Sequence, residues 1–200
     1  MSKTLVAVLG IAIMLAACSP STPLLPTHFP STQPPTYIPN LAETPLPTPQ
    51  QVVYHDDKAG FSIQHPLTWK ESDAGGYPVV FSLTAAPGTT LIDKSMEINA
   101  TENAMDCKET TYNSDTGTTS PETLTVNGIS FLKESGSGIG AGNIYDWTSY
   151  STMKGSMCIN VTFVLHSANS GVYSTEPASF DKAVESAIFG PLLNTFKFDR

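Results

Sequence analysis

Positive charge is scarce in this 200-residue chain: ten Lys and Arg stand against eighteen Asp and Glu, a formal charge of -8 with pI near 4.8. No Lys/Arg cluster interrupts that balance, so the chain lacks the electrostatic footprint needed to hold a phosphate backbone, and nucleic-acid binding is not expected. Long apolar runs are missing too. The longest, Leu5 to Ala17, has thirteen residues, too few to cross ~30 Å of hydrocarbon as a helix. A mean hydropathy of -0.06 with 40% hydrophobic residues argues against both a multi-span membrane protein and a wholly disordered one. Catalytic signatures are equally sparse. No G-x-S-x-G elbow, H-E-x-x-H pair or S-x-x-K appears in a fitting context, so no cofactor or catalytic residue is expected from motif.

What is present begins with an address. Lys3 gives a short basic start and Leu5 to Ala17 an apolar stretch, which ends in Leu15 and the small residues Ala16 and Ala17 directly before Cys18. This segment resembles the lipobox of bacterial lipoproteins. The resemblance implies cleavage before Cys18, a diacylglycerol thioether on its thiol, and acylation of the new amino group. Residues 1–17 are then a lipoprotein signal peptide, and two or three acyl chains suffice for stable anchoring. The expected location is extracytoplasmic, with the chain bound to membrane lipid through acylated Cys18.

Residues 18–50 form the expected tether. Ten of the sixteen prolines lie between Ser19 and Gln50, with no glycine and with Glu43 as the one charged side chain. Proline fixes φ and removes amide donors, so extended polyproline II is favoured over helix or sheet.

From Gln51 to Arg200 the punctuation is mostly β, and a single α+β domain is expected. Val52 to Tyr54 start a strand, and Phe61, Ile63 and His65 alternate with polar residues until Pro66. Strands follow at Val79 to Leu83 and about Ser95 to Thr101. Asn127 and Gly128 separate Leu124 to Val126 from Ile129 to Lys133, the pair that suits a type I′ turn. Ile144 to Met153 and Met157 to His166 read as a longer hairpin around Lys154 and Gly155. Met157, Ile159, Val161, Phe163 and Leu165 share one face of it, predicted as core. Phe180, Val184, Ala187 and Ile188 then fall at helical spacing, with Gly190 and Pro191 as the stop and Leu192 to Phe196 as a short closing turn. The order predicts an antiparallel sheet of about six strands flanked by a C-terminal helix.

The run from Tyr54 through Asp56, Asp57, Gly60, Phe61, Ile63 and Pro66 to Trp69 resembles the opening of PsbP-like and Mog1-like domains. Leu192 to Phe198 is similar to their closing helix-to-strand segment. The resemblance implies an α/β/α sandwich and carries over no catalytic residue. Little helical periodicity stands between Asn99 and Thr123, where the second helical layer would have to form.

With Cys18 lipidated, Cys107 and Cys158 remain, an even pair expected to form a disulfide outside the cytoplasm; two free buried thiols are the alternative. His55, Asp57 and His65, with Asp56, are weak candidates for metal ligands, set against ordinary turn chemistry. Asn113, Asp115 and Gly117 imitate the start of a calcium loop but have the glycine one place early. Gly136 to Ala141 fits a G-x-G-x-x-A pattern that precedes a strand, and reads as a flexible loop. Tyr145, Trp147 and Tyr150 either make an aromatic surface for a protein or glycan or pack beneath the helix. Three functions stay open: a lipid-anchored binding or assembly-accessory module, an envelope hydrolase built around His55, His65 or His166, and a purely structural surface protein.

Overall fold

The computed structural model describes residues 50–72, 75–112, 119–175 and 177–199. The signal peptide, the lipobox with Cys18, nearly all of the tether and the Asn113 to Gly117 motif lie outside the described residues.

Ten strands and two short α-helices follow one another in the order β1 (Gln51–Asp56), β2 (Phe61–Pro66), β3 (Lys70–Ser72), β4 (Val79–Thr84), β5 (Leu91–Glu102), β6 (Glu122–Val126), β7 (Ile129–Gly140), β8 (Asn143–Lys154), β9 (Met157–Ala168), α1 (Lys182–Ser186), α2 (Phe189–Leu193) and β10 (Lys197–Phe198). A single 3-10 turn, Ser170–Val172, follows β9. Seven strands make one antiparallel sheet in the order β3-β4-β5-β9-β8-β7-β6, and β1-β2-β10 make a second. The protein is thus α+β, with an antiparallel sheet and C-terminal helix as the strand-then-helix order predicts. Among the described residues no helix is long and apolar enough to cross a membrane.

The core follows from the alternation along β9. Ile159, Val161, Phe163 and Leu165 point to one face and meet Phe61, Ile63, Phe189, Leu192 and Phe196 in one cluster. Phe196 is its centre, stacked on Phe61 at 5.1 Å and edge-on to Phe131 at 5.3 Å. Burial of such aromatics supplies the main driving force for closing the small sheet onto the large one. The Asn127 and Gly128 turn has the two positive φ values of a type I′ hairpin. Its Asn127 side chain donates to the carbonyls of Asn194 and Phe196, so the hairpin also fastens the C-terminal segment.

Four local expectations are corrected. The C-terminal helix is two five-residue helices, and Val184, which falls at helical spacing with Phe180, Ala187 and Ile188, is 67% exposed. Gly190 and Pro191 do not stop a helix; they lie in the first turn of α2, where proline has no amide bond to lose. The short α1 is held by polar contacts instead, Lys94 to Glu185 at 2.8 Å and Lys182 to Asp146 at 2.6 Å. Residues 136–140 are not a flexible loop but the end of β7, paired to β8 through Gly140 and Asn143. In the β8-β9 hairpin Lys154 pairs with Met157, so Gly155 and Ser156 form the turn, one residue later than expected.

The second face of the large sheet has no helix over it among the described residues. The chain beyond β5 crosses it as an irregular strap, which is why β9 is buried on both sides.

Candidate functional site

Directly paired residues of antiparallel strands project to the same face. The register pairs Asp93 with His166, Ser95 with Val164 and Glu97 with Thr162 on one side of β9, and Tyr145 with His166 and Trp147 with Val164 on the other. These side chains therefore share the face opposite the core. Tyr145 and Trp147 do not pack beneath the helix; Tyr150, in the other phase, faces the core and meets Phe163 edge-on.

The strap turns at Asn103, whose φ is 54°, and is fastened twice. Cys107 is bonded to Cys158, as the cysteine count predicted. Two residues on, Glu109 is almost fully buried; its carboxylate accepts from Thr162 Oγ1 at 2.6 Å and Ser149 Oγ at 3.0 Å, while its amide donates to Glu134 at 2.9 Å. Burial pushes the Glu109 carboxyl up, but the hydrogen bonds from Thr162, Ser149 and the amides of Thr111 and Tyr112 outweigh it and hold it below its ordinary value.

Tyr112 completes the wall. Its ring lies over Trp147 at 6.3 Å, and its hydroxyl donates to Glu97 Oε1 at 2.8 Å. Ser95 Oγ donates to the same oxygen at 3.2 Å. Burial raises the Glu97 carboxyl, the negative charges of Glu109 and Asp93 add to that, and the two hydrogen bonds only partly offset it. Burial and the neighbouring Glu97 drive the Tyr112 hydroxyl far above its ordinary range, so it remains a donor.

Between the strap and strands β4, β5, β9 and β8 lies a groove of about 280 Å3, lined on its polar side by Asp93, Ser95, Glu97, Tyr112, Tyr145 and His166. His166 stacks on Tyr145 with ring centroids 4.6 Å apart and planes 5° from parallel. Its Nδ1 lies 2.9 Å from Asp93 Oδ2, which orients the ring, and its Nε2 is buried without a hydrogen-bond partner among the described residues. With the proton on Nδ1, Nε2 is an acceptor.

The other candidates are not brought together. Val52 pairs with His65 and His55 with Ser62, so the two histidines stand three residues apart along the ribbon, on opposite faces. His65 is buried against Phe81 at 4.1 Å, His55 is exposed and 3.9 Å from Asp199, and Asp57 is exposed in the turn. The buried acid of that turn is Asp56, which accepts from the Ala59 amide at 2.8 Å and from the Tyr77 hydroxyl. Among the described residues no group of three His, Cys, Asp or Glu is placed to hold a metal ion.

Sequence reasoning had named His166, Tyr145 and Trp147 but passed over Asp93, Glu97, Glu109 and Tyr112. The available signal was the phase of β5: Asp93, Ser95 and Glu97 alternate with Lys94, Met96 and Ile98, a polar face on a strand central enough to be covered.

No family model matches the chain, and no curated protein does. Thirteen chains of known structure match it. The PsbP protein of Synechocystis sp. PCC 6803 (CyanoP) is similar over 74% of this chain and 92% of its own, with 15% identity and a TM-score of 0.47. A protein of Bacteroides thetaiotaomicron VPI-5482 is similar over 74% of this chain, with 12% identity and a TM-score of 0.44. The match spans 48% of that second protein's length.

Proposed function

We propose that this protein is a lipid-anchored extracytoplasmic binding or assembly-accessory module, held to the membrane by acylated Cys18, lifted by the tether of residues 18–50, and taking its partner in the groove between strap and sheet. The observation that carries the reading is the groove itself: its lining brings together an oriented imidazole, a desolvated carboxylate and two tyrosine rings, with no opposing Lys or Arg among the described residues. Polar groups of that kind are costly when unpaired and are retained where a ligand satisfies them.

The second reading, an envelope hydrolase, draws on the Asp93 and His166 pair, which has the orientation of a base and its carboxylate. A serine nucleophile activated by His166 would need to hydrogen-bond Nε2, and Ser82 and Ser95, which line the same groove, do not.

Two variants test the proposal in native membranes. Cys18→Ala is expected to release the chain from the membrane fraction and to abolish metabolic labelling with palmitate. Tyr145→Arg, which fills the groove, is expected to abolish a chemical cross-link that the unmodified chain forms reproducibly with an envelope partner or glycan. Retention of Cys18→Ala on the membrane, or cross-linking indifferent to Tyr145→Arg, would overturn the corresponding half.

A further inference from the structure

The chemistry of the lining narrows the ligand, on the footing that the groove is the binding site. The charged groups of its lining are acceptors, the Asp93 and Glu97 carboxylates. Among the described residues both hydrogen bonds to Glu97 end on Oε1, and none reaches Oε2. Among the described residues no Lys or Arg lines the groove. Lys94, one residue from Asp93, points through the sheet to Glu185, and Lys133 is paired with Glu122. An anion placed here would meet Asp93 and Glu97 with no compensating charge, and repulsion in a partly desolvated site is strong. A bare divalent ion would find too few ligands, since among the described residues no trio of metal-binding side chains converges. The walls add a second, independent preference. The Tyr112 and Tyr145 rings stand 6.5 Å apart, tilted by 37°, and the faces of such rings attract cations.

We infer that the groove binds an organic cation, an ammonium or guanidinium group held against the Tyr112 and Tyr145 rings and hydrogen-bonded to Glu97 Oε2 and the Asp93 carboxylate. A free polyamine and a basic side chain of a partner protein both present that chemistry.

Calorimetric titration of the full-length chain in detergent separates the sources. Spermidine represents the free polyamine, an acetylated and amidated Gly-Lys-Gly peptide the presented side chain, and glycerol an uncharged donor. Saturable one-to-one binding of one of the two cations, with none of glycerol, is expected. Glu97→Gln keeps the Tyr112 acceptor but removes the charge, and is expected to weaken that binding about tenfold or more. Glu71→Gln removes an exposed carboxylate elsewhere and is expected to leave it unchanged. Equal effects of the two substitutions would mean that the cation follows net charge alone and would overturn the inference, as would glycerol binding as tightly as the cations. If neither cation saturates the chain while Tyr145→Arg still abolishes the cross-link, the ligand class is wrong and the groove stands; if Tyr145→Arg is also silent, both readings fall.

Discussion

Thr162 Oγ1, at the middle of β9, donates a 2.6 Å hydrogen bond to Glu109 Oε2, 53 residues away on the strap. A carboxylate this buried is stable only because hydroxyls and amides surround it. Glu109→Ala is expected to destabilise the fold by about 1–3 kcal/mol, since the hydroxyls of Ser149 and Thr162 lose their acceptor inside the protein. The sign with pH follows from the lowered carboxyl: its stabilisation is complete above the ordinary carboxyl range and is lost as pH falls through the depressed value. Denaturant unfolding of wild type and Glu109→Gln should therefore differ at pH 7 and converge toward pH 3. A difference that stays constant would remove the assigned role.

Cys107 and Cys158, 51 residues apart, tie the same strap at its other end. The loop-closure estimate puts the effect of the double Cys→Ser variant at about 4 kcal/mol as an upper limit. The strap would still hold through Glu109, so the sheet is expected to stay folded while Trp147, normally covered by Tyr112, becomes accessible to acrylamide quenching. A variant with wild-type stability and wild-type quenching would show that the bond constrains nothing.

Glu97 carries the opposite sign from Glu109. Its carboxyl is raised, so ionisation costs more in the folded than in the unfolded chain, and stability present at acid pH declines as pH rises from the ordinary carboxyl value through the raised one. Glu97→Gln removes that penalty and keeps an amide oxygen for Tyr112 to donate to. Relative to wild type, its melting temperature is expected to be higher at pH 7 than at pH 4. The reverse order, measured by scanning calorimetry, would contradict the desolvated carboxylate.

The parts legible in the sequence are those with local periodicity or turn chemistry. The apolar phase of Met157 to Leu165 identified the core face of β9, and Asn127 with Gly128 fixed a hairpin. The C-terminal helix misled because i, i+4 spacing cannot register that Lys94 and Asp146 would bind α1 by its polar side. The site was least legible: Asp93, Glu97 and Glu109 come together through strand register and a disulfide-bonded strap that has no periodicity of its own. The polar phase of Asp93, Ser95 and Glu97 is present in the sequence, but without the strap nothing in it distinguishes a covered face from a solvent face.

Gly136 offers the most local test of how the groove wall is built. It pairs with Trp147 across β7 and β8, and a Cβ added there would stand 2.7 Å from Trp147 Cζ2 and 2.9 Å from Cε2. The indole thus lies flat against the bare backbone of Gly136, with Tyr112 on it as well. Gly136→Ala must push the indole away from the sheet, a shift passed on to Tyr112 and its bond to Glu97, and an overpacking cost of about 1–3 kcal/mol is expected. Gly140 lies four residues on in the same strand, where an added Cβ meets nothing within 4 Å, so Gly140→Ala should change stability by no more than about 0.5 kcal/mol. Urea unfolding measures both, and the emission maximum of the native state reports the displaced indole. Equal stabilities for the two variants would mean that Trp147 does not rest on Gly136 and that the groove wall is supported elsewhere.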